Sequence, residues 1–411
     1  MPRVVRIQSR ICVGGPALHT ILLSEGLSRG AGSAYETVLI SGQLEPGEAP
    51  MSTFAADRGV FFETVPEMRR QVHPVRDASA LWSLVAKLKR YRPSIVHTHT
   101  AKAGAIGRLA ARIAGVPFVV HTFHGHIFDG YFSKARVRAF VAAERALSRL
   151  SDCVIAISEQ QRVDLVERYR VAPANKVRVI PLGLDLDRFR SISAEARSDG
   201  MARREIGLPA NAPIVVSAGR LVPIKRYDLL VEAFSGVLSS LPDAHLVIVG
   251  DGTEAERSSL LDLVAKLGVS NRVHFPGWRR DVERVYAESD LFALTSDNEG
   301  TPVSLIEALA SGIPAVSTDV GGVRDVLRPE LGEVVARGDV AAIRRAIVSR
   351  LVGASGGPDR LRDDLRDDVV RRFSHHRLIR DITNLYDELL GSKALAMTSI
   401  GAQQVLRCGP T

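Results

Sequence analysis

Short apolar runs alternate with amphipathic stretches along almost the whole chain, and the alternation stops once and then restarts. "RVVRIQS" (3–9) is followed by "PALHTILLSEGLSRG" (16–30), and "ETVLIS" (36–41) precedes the amphipathic "ASALWSLVAKLKRYRP" (78–93). "SIVHTHT" (94–100), "PFVVHTFH" (117–124), "CVIAIS" (153–158) and "KVRVIPLG" (176–183) are further strand-like runs with helical periodicity between them. Short buried runs separated by helix-length segments predict parallel strands joined by helical crossovers, a doubly wound α/β sheet.

Residues 191–213, "SISAEARSDGMARREIGLPANAP", are polar and carry no strand pattern, so they predict a junction. Beyond it "IVVSAG" (214–219), "AHLVIVGDG" (244–252), "RVHFPGW" (272–278), "SDLFALTS" (289–296) and "PAVST" (314–318) repeat the strand signal. The expectation is two Rossmann-like α/β domains facing a cleft. Residues 1–195 form the first domain and 196–372 the second. A helix follows over 373–391, and 392–411 form a flexible tail lacking a packing pattern.

Two carboxylates frame the stretch "SDNEGTPVSLIEALASGIPAVST" (296–318). "DNEGT" has turn composition, Thr301 and Pro302 read as a helix start with Thr301 as its cap, and Gly312 and Pro314 read as its stop. Glu299 then lies on a loop at the C-terminal end of a strand, where open α/β sheets bind ligands. Glu307 lies within the helix. They serve two hydroxyl-bearing groups of one elongated ligand, or they are a capping acid and a solvated helix acid.

In "SAGRLVPIKRYD" (217–228), Arg220 and Lys225 stand between a strand and a helix. A guanidinium and an ammonium beside free helix amides suit a diphosphate; an ordinary solvated basic loop is the alternative. Gly14 and Gly15 in "VGGPALH" let backbone approach a ligand, although no G-x-G-x-x-G fingerprint is present. "VGDGTE" (249–254) reads as a strand-to-helix turn.

"HTFHGHIF" (121–128) puts His124 and His126 on one side of an extended segment. A metal site or a hydrogen bond to a bound sugar are both open, and the segment supplies no carboxylate at metal spacing. His97 and His99 read as core histidines that orient neighbouring loops. Asp185 and Asp187 in "GLDLDRF" shape a turn more readily than they hold a metal-bound diphosphate.

Three widely spaced cysteines, Cys12, Cys153 and Cys408, form no metal or disulfide pattern, which predicts a reducing compartment. The first residues lack a signal-peptide apolar core, and no run is long enough to span a membrane. Residues 1–190 hold 27 Lys/Arg and 16 Asp/Glu, net +11, whereas 191–411 hold 27 and 30, net −3. The positive half can face an anionic membrane or a phosphorylated substrate, or it is simply a basic surface. Lys134, Arg136, Arg138, Arg145 and Arg149 in one helix, with Phe61, Phe62, Tyr131 and Phe132 in the same domain, form the candidate membrane face.

Taken together, "GR" with a lysine five residues on, "NEGTPVSLIEALASGIPAVSTDVGG", "GW…DVERVYAESDLFALTS", "GGPALH", "HTFHGH" and "VIPLGLDLDRF" resemble glycosyltransferase family 4, retaining enzymes of the GT-B fold. The resemblance covers roughly residues 3–390 and implies that the helix over 373–391 crosses back to the first domain. It implies that Arg220 and Lys225 hold a diphosphate, Glu299 contacts donor-sugar hydroxyls and Glu307 binds ribose hydroxyls. It further implies that the backbone around Gly300, Thr301, Pro302 and Val303 lines the sugar–phosphate site, and that Gly14 and Gly15 approach the diphosphate. His124 matches the position that hydrogen-bonds the transferred sugar, and backbone near Arg279 holds the base.

The implied activity is metal-independent retaining transfer from a nucleotide-diphosphate sugar, a UDP-sugar favoured, to a polysaccharide or lipid-linked acceptor. No cofactor, no metal and no nucleic-acid partner are implied. The expected location is cytoplasmic, peripheral at the inner face of the membrane. An epimerase or phosphorylase on the same fold, or a non-catalytic nucleotide-sugar-binding subunit, are the alternatives. Arg226, Leu182 and the Arg324–Asp325 pair depart from residues common in the family, which leaves sugar and acceptor open.

Overall fold

The structure is a computed structural model that describes residues 1–29, 35–125, 134–192, 199–353 and 360–405, with backbone alone for 29, 134 and 392–405. His126, Tyr131 and Phe132, and the side chain of Lys134, lie outside the described residues.

Among the described residues, thirteen strands form two parallel sheets. The first contains β1 (Arg3–Gln8), β2 (Glu36–Gly42), β3 (Phe62–Val65), β4 (Ile95–His99), β5 (Phe118–Phe123), β6 (Cys153–Ala156) and β7 (Val177–Val179). The second contains β8 (Ile214–Ala218), β9 (His245–Val249), β10 (Val273–Gly277), β11 (Leu291–Leu294), β12 (Ala315–Thr318) and β13 (Gly332–Val335). Their spatial orders are β3-β2-β1-β4-β5-β6-β7 and β10-β9-β8-β11-β12-β13. Both sheets therefore reverse direction of winding beside their first strand, between β1 and β4 and between β8 and β11. Crevices outside the strand ends at such reversals are where α/β sheets bind ligands.

Burial follows this plan. β4, β8, β9, β11 and β12 are buried along their whole length, as strands covered by helices on both faces must be. β3 and β13, the two strands without a sequence signal, are four-residue edge strands that stay partly exposed.

The long helix His375–Val405 leaves the second domain and packs on the first. Leu378, Ile382, Leu385 and Tyr386 share a core with Val4, Leu23, Leu27, Ile95, Val120 and Ile155. A Cβ on Gly26 would lie 2.0 Å from Ile379 Cδ1, so the first helix admits the crossing helix only because it carries glycine there. Where the chain crosses, the Leu184 amide donates to the Phe373 carbonyl (2.8 Å) and the His375 amide donates to the Leu184 carbonyl (2.9 Å). The helix backbone continues to Val405, beyond the expected end at 391. "KALAMTSIGAQQV" is rich in strong helix formers, which carry the helix on without a packing pattern.

Candidate active site

The site forms where the two winding reversals face each other. The end of β11 leads into the Glu299 loop, and the end of β8 leads into Arg220 and Lys225. Lys225 Nζ lies 2.6 Å from Glu299 Oε1, and the Ser296 hydroxyl donates to the same oxygen at 2.6 Å. Both side chains are largely buried, at 19% and 11% exposure. Glu299 is thus neither a helix cap nor a solvated acid. Arg220 is exposed, and among the described residues its guanidinium has no hydrogen-bond or ion-pair partner, so it stands ready for an anion.

Thr301 does not cap the following helix. Pro302 occupies the cap position of Val303–Ala310 with no side-chain bond to the first turn, while the Thr301 hydroxyl donates across the cleft to the Ile157 carbonyl (3.3 Å). The first amides of this helix keep no side-chain acceptor, and an uncapped helix N-terminus is a site for negative charge.

Glu307 sits one helical turn further on. Burial pushes its carboxyl up to about 7, with Arg188 lowering it and Glu283 raising it. Arg188 and Glu283 are themselves paired at 3.4 Å. A carboxyl this desolvated gains from any ligand hydroxyls that donate to it.

The first domain closes the site from the other side. A Cβ on Gly15, at the start of the helix Gly15–Arg29, would be 3.6 Å from Val303 Cγ2. One on Gly300 would be 3.1 Å from the His124 carbonyl oxygen and 3.4 Å from Gly125 Cα. Gly14 precedes this helix and accepts the Leu18 amide at 3.1 Å. The expected residues Gly14, Gly15, His124, Lys225, Glu299, Gly300 and Val303 therefore come from two sheets into one narrow region. The Arg279 guanidinium is engaged by Asp281 and Glu205.

His124 belongs to a cluster. Its Nε2 is 3.0 Å from His99 Nδ1, and the His19 ring packs against both. His97 bonds Tyr386 and Thr122 at 2.7 Å, which is core packing. Burial lowers the pKa of His124 to about 3 and holds His19, His97 and His99 well below the ordinary histidine range, so all four are neutral at physiological pH. One nitrogen each of His19, His99 and His124 lie within 4.8 Å of one another, and these residues could hold a metal ion. The other two histidines of such a site, His19 and His99, come from other elements than "HTFHGHIF".

Several further residues shape the site without a clear sequence signal. A Cβ on Gly321, at φ +49°, would lie 1.7 Å from the Glu299 carbonyl oxygen. The Gly322 amide donates to the Gly300 carbonyl (2.9 Å), and Ser158 packs beside it. The paired glycines of "STDVGG" thus buttress the Glu299 loop, and their resemblance to the first "VGG" was the available signal. Asp325 accepts the Glu159 amide of the first domain at 2.7 Å. Arg226 occupies the left-handed region at φ 50°, where glycine is favoured, and it is tied to Asp228 and Asp297. Asp185 is engaged by Arg58 at 2.6 Å, and Asp187 opens a short helix, so neither faces a diphosphate. In "VGDGTE", Thr253 and Glu256 form a reciprocal cap and Gly250 packs on the Gly219 backbone, a structural turn.

Residues 13–188 match the glycosyltransferase family 4 model and residues 200–354 match glycosyl transferases group 1. The chain is 30% identical over 333 residues to the Escherichia coli UDP-Gal:alpha-D-GlcNAc-diphosphoundecaprenol alpha-1,3-galactosyltransferase, covering 80% of this chain and 84% of that protein. It is 31% identical over 310 residues to the Salinispora tropica D-inositol 3-phosphate glycosyltransferase, covering 72% and 64%. The structure of Anabaena HepE with UDP-glucose superposes with a TM-score of 0.78 at 21% identity, covering 94% of this chain and all of that one. Two like-ordered parallel sheets, a helix that returns to the first, and these matches over both halves place the chain among the GT-B glycosyltransferases related to the group 1 and family 4 proteins.

Proposed function

We propose that the chain transfers a sugar from a UDP-sugar to a lipid-linked or polysaccharide acceptor, with retention of anomeric configuration and no metal at the diphosphate. The observation that carries this reading is the convergence, at the two winding reversals, of Arg220, Lys225 and an uncapped helix N-terminus on one side with His124 and the Gly14–Gly15 turn on the other.

In this reading the diphosphate takes Lys225 away from Glu299 and meets Arg220 and the amides of the Val303–Ala310 helix. These cations stabilise the charge that builds on the leaving phosphate in the transition state. Glu299, released from the ammonium, accepts from hydroxyls of the donor sugar, and Glu307 accepts from the ribose. His124, neutral, hydrogen-bonds the sugar from the first domain, the Gly300–Val303 backbone lines the sugar–phosphate junction, and backbone at Arg279 meets the base. The leaving phosphate assists deprotonation of the acceptor on the same face, which preserves the configuration.

The E. coli relative uses UDP-Gal and a diphosphoundecaprenol-linked acceptor, which supports a UDP-sugar and a lipid-linked acceptor here. Among the described residues no helix is long and apolar enough to cross a membrane. Contact with a membrane would instead be peripheral, through Arg136 and Arg138 and the exposed Phe61 of the first domain, on the cytoplasmic face. Phe62 does not join this face, because it packs against the Ile11–Ile21 core.

A panel of UDP-, GDP- and ADP-sugars, each tested with and without lipid-linked acceptor, tests the reading. Acceptor-dependent transfer from a UDP-sugar with the anomeric configuration kept is expected. Epimerised nucleotide from donor alone, or phosphate-dependent release of sugar, would replace it with the epimerase or phosphorylase reading.

A further inference from the structure

The floor of the cleft carries an unexplained group of histidines. His19 is 2% exposed and His99 is fully buried, yet neither nitrogen of His19, nor His99 Nε2, nor His124 Nδ1 has a hydrogen-bond partner among the described residues. Buried ring nitrogens without partners are costly, and each leaves an unused donor or acceptor in a dry site. The three rings come from three elements: the helix after the Gly14–Gly15 turn, the end of β4 and the segment after β5.

Their spacing is that of a ligand set. Ring centres lie 4.8 Å apart for His19–His124, 5.2 Å for His99–His124 and 5.7 Å for His19–His99. Three imidazoles on one tetrahedral ion, with metal–nitrogen bonds of about 2.0–2.1 Å, have ring centres about 5 Å apart. The 3.0 Å between His99 Nδ1 and His124 Nε2 is close to the edge of such a tetrahedron, about 3.3 Å. One nitrogen from each ring already falls within 4.8 Å of the others.

We infer that His19, His99 and His124 form a binding site for an imidazole-preferring divalent ion of the zinc class, separate from the diphosphate, and that its occupancy competes with donor sugar. The ligand set is all nitrogen, which selects Zn2+, Ni2+ or Cu2+ over Mg2+ or Ca2+. When the ion enters, the proton now shared between His99 and His124 moves to the far nitrogen of its own ring, so no net proton need leave. Competition rests on the reading of His124 as a sugar contact: with Nε2 on the metal the ring is fixed in place and left with only its Nδ1 N–H, so it can no longer turn toward the sugar or accept from its hydroxyls. The consequence is inhibition by zinc and relief by chelator, the reverse of a metal-requiring transferase.

The full chain, stripped with chelator, is titrated with Co2+ and then Zn2+. Bound metal is measured directly, and the visible bands of cobalt report its ligands. One saturable equivalent is expected, with nitrogen-only bands and no thiolate charge-transfer absorption. His19→Gln and His99→Gln should each weaken it by about 10-fold or more while melting cooperatively without metal. Zinc should inhibit wild-type transfer competitively against UDP-sugar, and the rate of His19→Gln, at whatever level, should not respond to zinc. Absence of saturable binding, a thiolate band, or wild-type affinity in both variants would overturn the site, the last by moving the metal to the His245–His274 pair or the cysteines. Stoichiometric binding without inhibition would overturn the competition with sugar. Because binding is read without turnover, its failure leaves the transferase reading intact, and loss of transfer in metal-free protein would count against that reading alone.

Discussion

The Lys225 ammonium lies 2.6 Å from the Glu299 carboxylate, so two residues with separate proposed tasks neutralise each other across the second winding reversal. The pair holds a cation and an anion in a partly dry place, and the proposed function has a ligand carrying both a phosphate and hydroxyls separate them. Breaking it from one side leaves the other charge unpaired, and the direction of the effect depends on which charge remains.

In the proposed function, Glu299→Gln frees Lys225 for phosphate while removing the carboxylate that would receive sugar hydroxyls. UDP affinity should hold or rise, and transfer should fall by about 10²-fold or more, in keeping with loss of a hydrogen bond to a charged group that strengthens in the transition state. Calorimetry with UDP beside initial-rate kinetics separates the two effects. Parallel loss of both would place Glu299 in folding of the loop alone.

Glu307 makes the protein pH-sensitive in a stated direction. Its folded-state pKa is raised from 4.5 to about 7, so between those values the native chain holds a proton that the unfolded chain lacks. Stability contributed by the buried neutral acid is therefore complete below about pH 4.5 and lost as pH rises to about 7. If ribose hydroxyls donate to the carboxylate, UDP favours its ionised form. Affinity should then climb from pH 6 to pH 8, with proton release seen by calorimetry in buffers of different ionisation heat. Glu307→Gln should bind UDP about 10-fold more weakly at pH 8 and show no proton release.

Gly321→Ala places a methyl 1.7 Å from the Glu299 carbonyl at a positive φ. The loop must shift to accept it. Catalytic efficiency should fall at least about 10-fold, since displacements near 1 Å cost that much or more, with the melting temperature changed far less than the rate. A variant with unchanged kinetics would show that the buttress is slack.

The returning helix is tested by Leu378→Ala. Leu378 is fully buried against the first domain and abuts Gly183. Its truncation should cost about 2–5 kcal/mol in denaturant unfolding and uncouple the two domains in limited proteolysis.

The alternation of apolar runs made most of both sheets legible, because strands buried on both faces read as continuous Val, Ile and Leu. It missed Phe62–Val65 and Gly332–Val335, whose four residues lie at sheet edges and mix exposed with buried positions. The placement of Glu299, Arg220 and Lys225 on loops after β8 and β11 was legible because each follows a continuous apolar run. Thr301 was misassigned as a cap because its partner, the Ile157 carbonyl, lies in the other domain, which no local rule reaches. The histidine cluster was hidden for the same reason: His19, His99 and His124 are far apart in sequence and meet only through the order of the strands. His19 follows the Gly14–Gly15 turn by one helical turn, and histidines at two strand ends in the same sheet were the remaining clue.

The central claim is that a diphosphate rests between the two sheets against a guanidinium and an ammonium. Its most direct measurement is UDP affinity by calorimetry in excess EDTA, for the wild type and for the Arg220→Ala, Lys225→Ala double variant. The account predicts tight binding by the wild type without divalent metal and a loss of about 100-fold or more in the double variant. Binding that appears only when Mg2+ or Mn2+ is added, or a double variant that binds as the wild type does, would contradict it.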